Sequence, residues 1–281
     1  MQNLLRLPYI NLACGLVLLM GLLAPPAKAA DRDQLEAFLE VTGFDVALES
    51  IRLSADSAPA MLGIEADDFG SEWQRLVREV FATELMHDMA VDILAETLSD
   101  ELLAHGAEFY ASDLGQRLVV AENSSHMVED DADKSQTGAE IVAGLVRIGS
   151  ERPEILARLN RASNTEDHSI QAIQEVQVRF MMAAASAGVI DLRMDEADLR
   201  EALRSQEGEM RVSIARNALE GAAFTYQAFS DEEMIDYAEA LENPKMQDVY
   251  ALMNAVQFEI MANRYEAVAR RLASMQPSQD L

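Results

Sequence analysis

The chain has 281 residues, of which 49 are Asp or Glu, 22 are Lys or Arg and one is Cys, giving a formal net charge of −27. So acidic a surface repels nucleic acid and anionic lipid faces, which excludes the polyanion-binding classes. A single cysteine excludes an internal disulfide framework and a multi-thiolate metal site.

The first residues read as an export signal. Arg6 is the only early charge, an uncharged run ACGLVLLMGLLA follows at 13 to 24, and Pro25, Pro26 and Ala27-Lys28-Ala29 close the segment. A basic start, a short apolar stretch and a small-x-small site are the parts of a secretory leader, with cleavage expected after Ala29. The run falls short of the roughly 20 residues that a comfortable membrane span needs, so an uncleaved anchor is the weaker alternative. Cys14 precedes the apolar run, and Asn11 stands where a lipoprotein signal carries a bulky aliphatic residue, so lipidation is not expected. Loss of Arg6, Lys28 and Cys14 with the leader takes the net charge from −27 to −29 and leaves no thiol. The expected address is the periplasm, or the outside, of a Gram-negative bacterium. The mature chain is expected not to be an integral membrane protein and must be held by its apolar core.

Beyond residue 30 the chain reads as helix nearly throughout, because Ala, Leu, Met, Glu and Arg dominate and no run shows strand alternation. The expected fold is all-α, a helical bundle built from two related multi-helix repeats. The first repeat covers 31–127, an acidic joint covers 128–140, and a diverged second repeat covers 141–281. Three gapless or nearly gapless matches carry this division. LEAFLEVTGFDVALESI (35–51) resembles ILARLNRASNTEDHSIQ (155–171), at an offset of 120. EVFATELMHDMAVDILAET (79–97) falls against MRVSIARNALEGAAFTYQA (210–228), and LSDELLAHGAEFYASDLGQRLV (98–119) against FSDEEMIDYAEALENPKMQDVY (229–250), both at 131. In the last pair Ser99-Asp100-Glu101 meets Ser230-Asp231-Glu232, a serine N-cap followed by acids that complement the helix start. Ser112-Asp113 meets Asn243-Pro244, a second N-cap pair, with proline at the first helical position.

The segment TELMHD (83–88) offers the best chemical lead. Glu84 and His87 form an E-x-x-H pair, the spacing at which one helix supplies two ligands in carboxylate-bridged metal sites. On a continuous helical wheel Glu84, His87 and Asp88 fall inside the arc of Trp73, Val77, Val80, Val91 and Leu94. They are the candidate metal ligands. The chain has no second E-x-x-H to complete a di-metal site, and a helix edge, or a buried histidine paired with a local carboxylate, is the better reading of the pattern. Glu101/His105 and Glu122/His126 are spaced by four and would join such a site only by packing. In the joint, Asp131, Asp133, Ser135 and Thr137 imitate the alternating oxygens of a calcium loop. Gln136 and Val142 occupy the positions of its glycine and closing glutamate, so a solvated linker is the better reading.

Farther on, 170–190 is the most apolar mature stretch and is expected to form a central helix with Gly188 as its C-cap. His168, in EDHS, reads as surface. In the last helix Met246, Val249, Met253, Val256, Ile260, Ala267 and Leu272 recur at helical steps, and Arg264, Arg270 and Arg271 near its end suit the dipole.

Phe109, Tyr110, Ser112, Gly115 and Gln116 resemble the aromatic-aromatic-x-Ser/Thr-x-x-Gly-Gln signature of the bacterial domain of unknown function 2059, over roughly residues 70 to 130. The resemblance implies an exported, mostly helical protein and brings no activity with it. The second repeat has Ala240 and Leu241 for the aromatic pair and Met246 for the glycine, as in a decayed duplicate. Gly115 is expected to let a backbone or ring approach the helix start. Anion binding at that start is disfavoured because Asp113 occupies its first turn.

No G-x-S-x-G, G-x-G-x-x-G, H-E-x-x-H or phosphate loop occurs. No cofactor is expected and no catalytic residue is assigned. The leading expectation is a periplasmic binding or interaction protein without catalytic activity, whose partner is an unknown envelope protein or a small ligand. A cleft lined by apolar residues and rimmed by acids would favour that reading over a structural role. The alternative is a metal-binding protein or metallohydrolase centred on Glu84 and His87. A chaperone-like role rests on composition alone.

Overall fold

A computed structural model describes residues 31–55, 58–63, 71–128 and 131–275. The leader 1–29, with Cys14 and the Ala29 site, lies outside the described residues, as do Glu129 and Asp130 of the expected joint. The described residues form α1 (Arg32–Thr42), α2 (Phe44–Ser54), α3 (Ala58–Met61), α4 (Ser71–Val80), α5 (Thr83–Thr97), α6 (Asp100–Tyr110), α7 (Asp113–His126) and α8 (Asp131–Arg147). They continue as α9 (Arg152–Ala162), α10 (Thr165–Ser186), α11 (Glu196–Arg204), α12 (Glu207–Thr225), α13 (Asp231–Leu241) and α14 (Pro244–Leu272). The fold is all-α, with no strand among the described residues, and none of their helices is long and apolar enough to cross a membrane.

The four anticipated caps are made. Ser99 Oγ accepts from Leu102 N at 3.3 Å, Ser112 Oγ from Gly115 N at 3.0 Å and Asn243 Oδ1 from Lys245 N at 3.0 Å. Ser230 and Glu233 form a reciprocal capping box, which satisfies two backbone donors that the first helical turn leaves unpaired. The break before Asp113 is sharp because of Gly115. A Cβ there would stand 2.2 Å from Phe109 O and 2.7 Å from Tyr110 Cα, so the end of α6 lies directly on the start of α7. The approaching group is backbone, which cannot move aside as a flexible side chain would.

α14 is the structural spine. It packs against α4, α5, α6, α10 and α13, and it buries Met246, Val249, Val256, Ile260, Tyr265, Val268 and Leu272. Tyr265 meets the edges of Phe81 and Phe180 at centroid distances of 5.6 and 5.4 Å. The stretch expected to be central, 170–190, contributes α10, which contacts α9, α11, α12 and α14 and ends where anticipated. Gly188 is left-handed (φ 76°), and Val189 N donates to Ala184 O at 2.9 Å.

Two expectations are corrected. The segment 128–140 is not an irregular joint, because it is helical from Asp131 onward and packs α8 onto α12. Gly138 permits this contact, since a Cβ there would stand 2.2 Å from Glu220 O. Polar residues supply the outer face of a helix as readily as they supply a linker, and a helical backbone cannot curl Asp133, Ser135 and Thr137 round a cation. The continuous wheel from Trp73 to Leu94 also fails. Phe81 and Ala82 separate α4 from α5, with Ala82 extended (ψ 126°), so the two helices have independent faces.

In the first half α1 touches α2, α5, α6 and α7, α2 touches α5 and α7, and α6 touches α7. In the second half α9 touches α10, α12 and α13, α10 touches α12 and α14, and α13 touches α14. Across the halves, α14 lies on α5 and α12 lies on α7.

Gly115→Ala is expected to lower stability by about 3 kcal/mol, the upper end of ordinary overpacking. Gly144→Ala, on α8 with open space around its Cβ, is expected to raise stability by about 0.5–1 kcal/mol. Urea unfolding of both variants provides the check, and equal effects would contradict the α6–α7 contact.

Candidate functional site

On α7, Leu118 and Val119 are buried, and Glu122, Ser125 and His126 continue that stripe at helical spacing. A carboxylate on an inward stripe requires donors. It finds them in two tyrosines of the other half, Tyr226 just past α12 and Tyr237 on α13. Tyr226 and Tyr237 hydroxyls both donate to Glu122 Oε1, at 2.8 and 2.9 Å. The Tyr237 and Tyr250 hydroxyls lie 2.6 Å apart, and Tyr110 donates to Tyr250 at 2.6 Å. Because the carboxylate is the terminal acceptor, the polarity of the chain is fixed: Tyr110 donates to Tyr250, Tyr250 to Tyr237, and Tyr237 to Glu122. Four of the six tyrosines of the chain meet here.

Neighbouring contacts hold the rings. Phe109 stacks on Tyr237 (5.7 Å, 11°) and meets Tyr110 edge-on (5.2 Å, 80°). Arg152 donates to Tyr226 O at 2.6 Å and to Asp231 Oδ1 at 2.6 Å, tying α9 to the α12–α13 turn. Arg117 pairs with Glu233 and lies 5.4 Å from the centre of the Phe229 ring. Thr225 donates to Ser125 Oγ at 2.8 Å, and Lys134 Nζ donates to Ser125 O at 3.0 Å.

Two cavities flank this network. The larger, about 440 Å³, is bordered by Glu122, Lys134, Asn160, Gly221, Tyr226 and Tyr237, among others. The smaller, about 120 Å³, reaches Phe38, Phe44 and Tyr110. Glu122, His126, Tyr250 and Asn254 border both. Burial pushes the Glu122 carboxyl above its ordinary value, and the hydrogen bonds from Tyr226 and Tyr237 pull it back in part. Burial also raises Tyr110, Tyr226, Tyr237 and Tyr250, and the charge of Glu122 adds to the effect. His126 is exposed overall, yet partial desolvation of its ring and the charge of Lys134 hold it below its ordinary value.

The sequence candidates for metal lie elsewhere. His87 Nδ1 is 2.7 Å from Asp45 Oδ1, Asp88 accepts from Arg32 at 2.9 Å, and Glu84 is exposed. Each partnered group is thus engaged by a different local residue. No group of three or more His, Cys, Asp or Glu able to hold a metal ion occurs among the described residues.

Of the family-signature residues, Phe109 and Tyr110 join the aromatic network, Ser112 and Gly115 build the α6–α7 junction, and Gln116 is exposed. His168, expected at the surface, is half-buried, with Nδ1 3.3 Å from Asn254 Nδ2.

Sequence reasoning had noted Glu122 and His126 only for their spacing, and Tyr226, Tyr237 and Tyr250 not at all. The available signal was an acid at a stripe position, together with tyrosines concentrated in one half.

Residues 84–143 match the model of a family described as an uncharacterized protein conserved in bacteria (DUF2059). That stretch runs from α5 into α8 and includes Tyr110 and Glu122, whereas the other three tyrosines fall outside it. No curated protein and no solved structure matches the chain.

A carboxyl raised in the folded state holds its proton more tightly folded than unfolded. Its stabilising contribution is therefore full below the ordinary value of 4.5 and is lost as pH rises through the raised one. The difference in melting temperature between wild type and Glu122→Gln should accordingly shift against wild type over that interval. The lowering of His126 acts in the opposite sense but is common to both proteins. A difference that stays flat with pH would contradict the burial of Glu122.

Proposed function

We propose that this is an exported binding protein that holds a small ligand in the larger cavity beside Glu122. One observation carries the reading: a carboxylate sits in a concave site of about 440 Å³ with tyrosine hydroxyls for partners. That volume lies within the range of small-molecule pockets. The cleft mixes Leu159, Ala222 and Leu241 with tyrosines, amides and hydroxyls and presents an acid, a polar lining suited to a polar ligand. The site uses no residue of the alternative metal centre.

The scaffold in this reading is a duplicated helical unit. Support comes from α6 and α13, both of 11 residues, whose starts differ by the offset of 131 that also separates the starts of α7 and α14. The cavity then lies where the halves meet, a favoured place for ligands. Export rests on the leader and on a mature chain free of cysteine.

Gly221 borders the cavity, and its Cβ position has open space, so Gly221→Phe fills the site without a clash at the backbone. A thermal-shift screen of small polar metabolites should yield compounds that stabilise wild type and not Gly221→Phe. If every hit stabilises both proteins equally, or none appears, the cavity is not a ligand site. Intact-mass analysis of the protein from a periplasmic fraction should give a chain beginning at Ala30. Retention of residues 1–29 would contradict a cleaved leader.

A further inference from the structure

We infer that the cavity beside Glu122 selects a small primary ammonium compound, with the Glu122 carboxylate as its counter-ion. The inference rests on the ligand-cavity reading above and adds the chemical class.

Two other partly buried acids are neutralised by arginine. Glu266, 18% exposed, pairs with Arg179 and Arg270, and Glu233, 28% exposed, pairs with Arg117. Glu122 differs in accepting only tyrosine hydroxyls, and no cation pairs with it among the described residues. The nearest cationic side chain on the cavity wall, Lys134, is committed to the Ser125 carbonyl. A half-buried carboxylate without an opposite charge carries a desolvation cost, and a cationic ligand offsets it.

The geometry distinguishes between cations. Both tyrosine bonds fall on Oε1. Oε2 accepts from no protein group, yet it is not among the sealed, unpartnered polar atoms, so it keeps accessible surface on a residue that borders both cavities. A guanidinium favours both oxygens of a carboxylate in a parallel fork. Here Oε1 is already filled, and one free oxygen suits a compact ammonium. Metal ions ask for several hard ligands, and no further carboxylate or histidine completes such a set. The hydroxyls and amides of Tyr250, Asn160 and Asn254 on the same wall can take the remaining ammonium protons or a polar tail. The net charge of −27 raises the local concentration of cations.

Three probes of one shape test this: n-pentylammonium, 1-pentanol and pentanoate. Each is titrated into the mature chain carrying ring-labelled tyrosine, with binding followed by NMR. Pentylammonium should bind about tenfold more tightly than pentanol, shift Tyr226 and Tyr237, and lose that preference in Glu122→Gln. Gly221→Phe, which leaves Glu122 intact, should abolish the shifts and serves if Glu122→Gln does not fold. The Glu122→Gln protein keeps every other acid, so diffuse attraction to a negative protein cannot mimic the result. Equal binding of pentanol, or a preference that survives Glu122→Gln, overturns the ammonium assignment and leaves the cavity reading standing. Failure of pentylammonium to bind also overturns the assignment, and the cavity reading then falls only if the wider screen is empty as well.

Discussion

The body of this protein is organised around one carboxylate. Glu122 stands on α7 of the first half, and its Oε1 receives hydroxyls from just past α12 and from α13 of the second. Through Tyr237 and Tyr250 the same chain of donors returns to Tyr110 on α6. A fully apolar contact between the halves would be simpler to build. The polar network instead fixes how they meet, because each hydroxyl must find its acceptor, and it leaves concave space beside a charged group.

The halves share helix punctuation, with caps at Ser99 and Ser112 matched by Ser230 and Asn243, but they are not alike in chemistry. At the offset of 131, Tyr237 corresponds to Gly106, Tyr250 to Val119 and Glu122 to Met253. Gly106 lets the ring of Phe38 come close, whereas Tyr237 places a hydroxyl against the carboxylate. On the proposed duplicated scaffold the network therefore lies across the line relating the two copies and belongs to neither alone. The half-buried acid and its donors are thus what most distinguishes the contact between the halves from a purely apolar one.

Much of the architecture was legible in the residues, because its signals are local. Ser99, Ser112, Ser230 and Asn243 announce helix starts through hydrogen bonds to residues two or three ahead, and Gly188 announces an end through a left-handed backbone. The stripe of α14 is a period within one element. The site was not legible, because its members come from α6, α7, α12, α13 and α14, and no spacing in sequence relates Glu122 to Tyr226, Tyr237 or Tyr250. The two misread segments have a common cause. At 128–140 a polar run has the composition of a linker and equally that of a helix half-open to solvent. At 73–94 a shared wheel was drawn across Phe81 and Ala82, where no glycine or proline flags the break. The lead at Glu84 and His87 was a genuine local pattern, but Asp45, from α2, is what meets His87.

The account stands on Glu122 being a desolvated carboxyl that serves tyrosine donors. Its own titration, followed by carbon chemical shift in protein labelled at the glutamate carboxyl carbons and assigned with Glu122→Gln, tests this most directly. The account predicts a midpoint above the ordinary carboxylate value of 4.5. A midpoint at or below that value would contradict it.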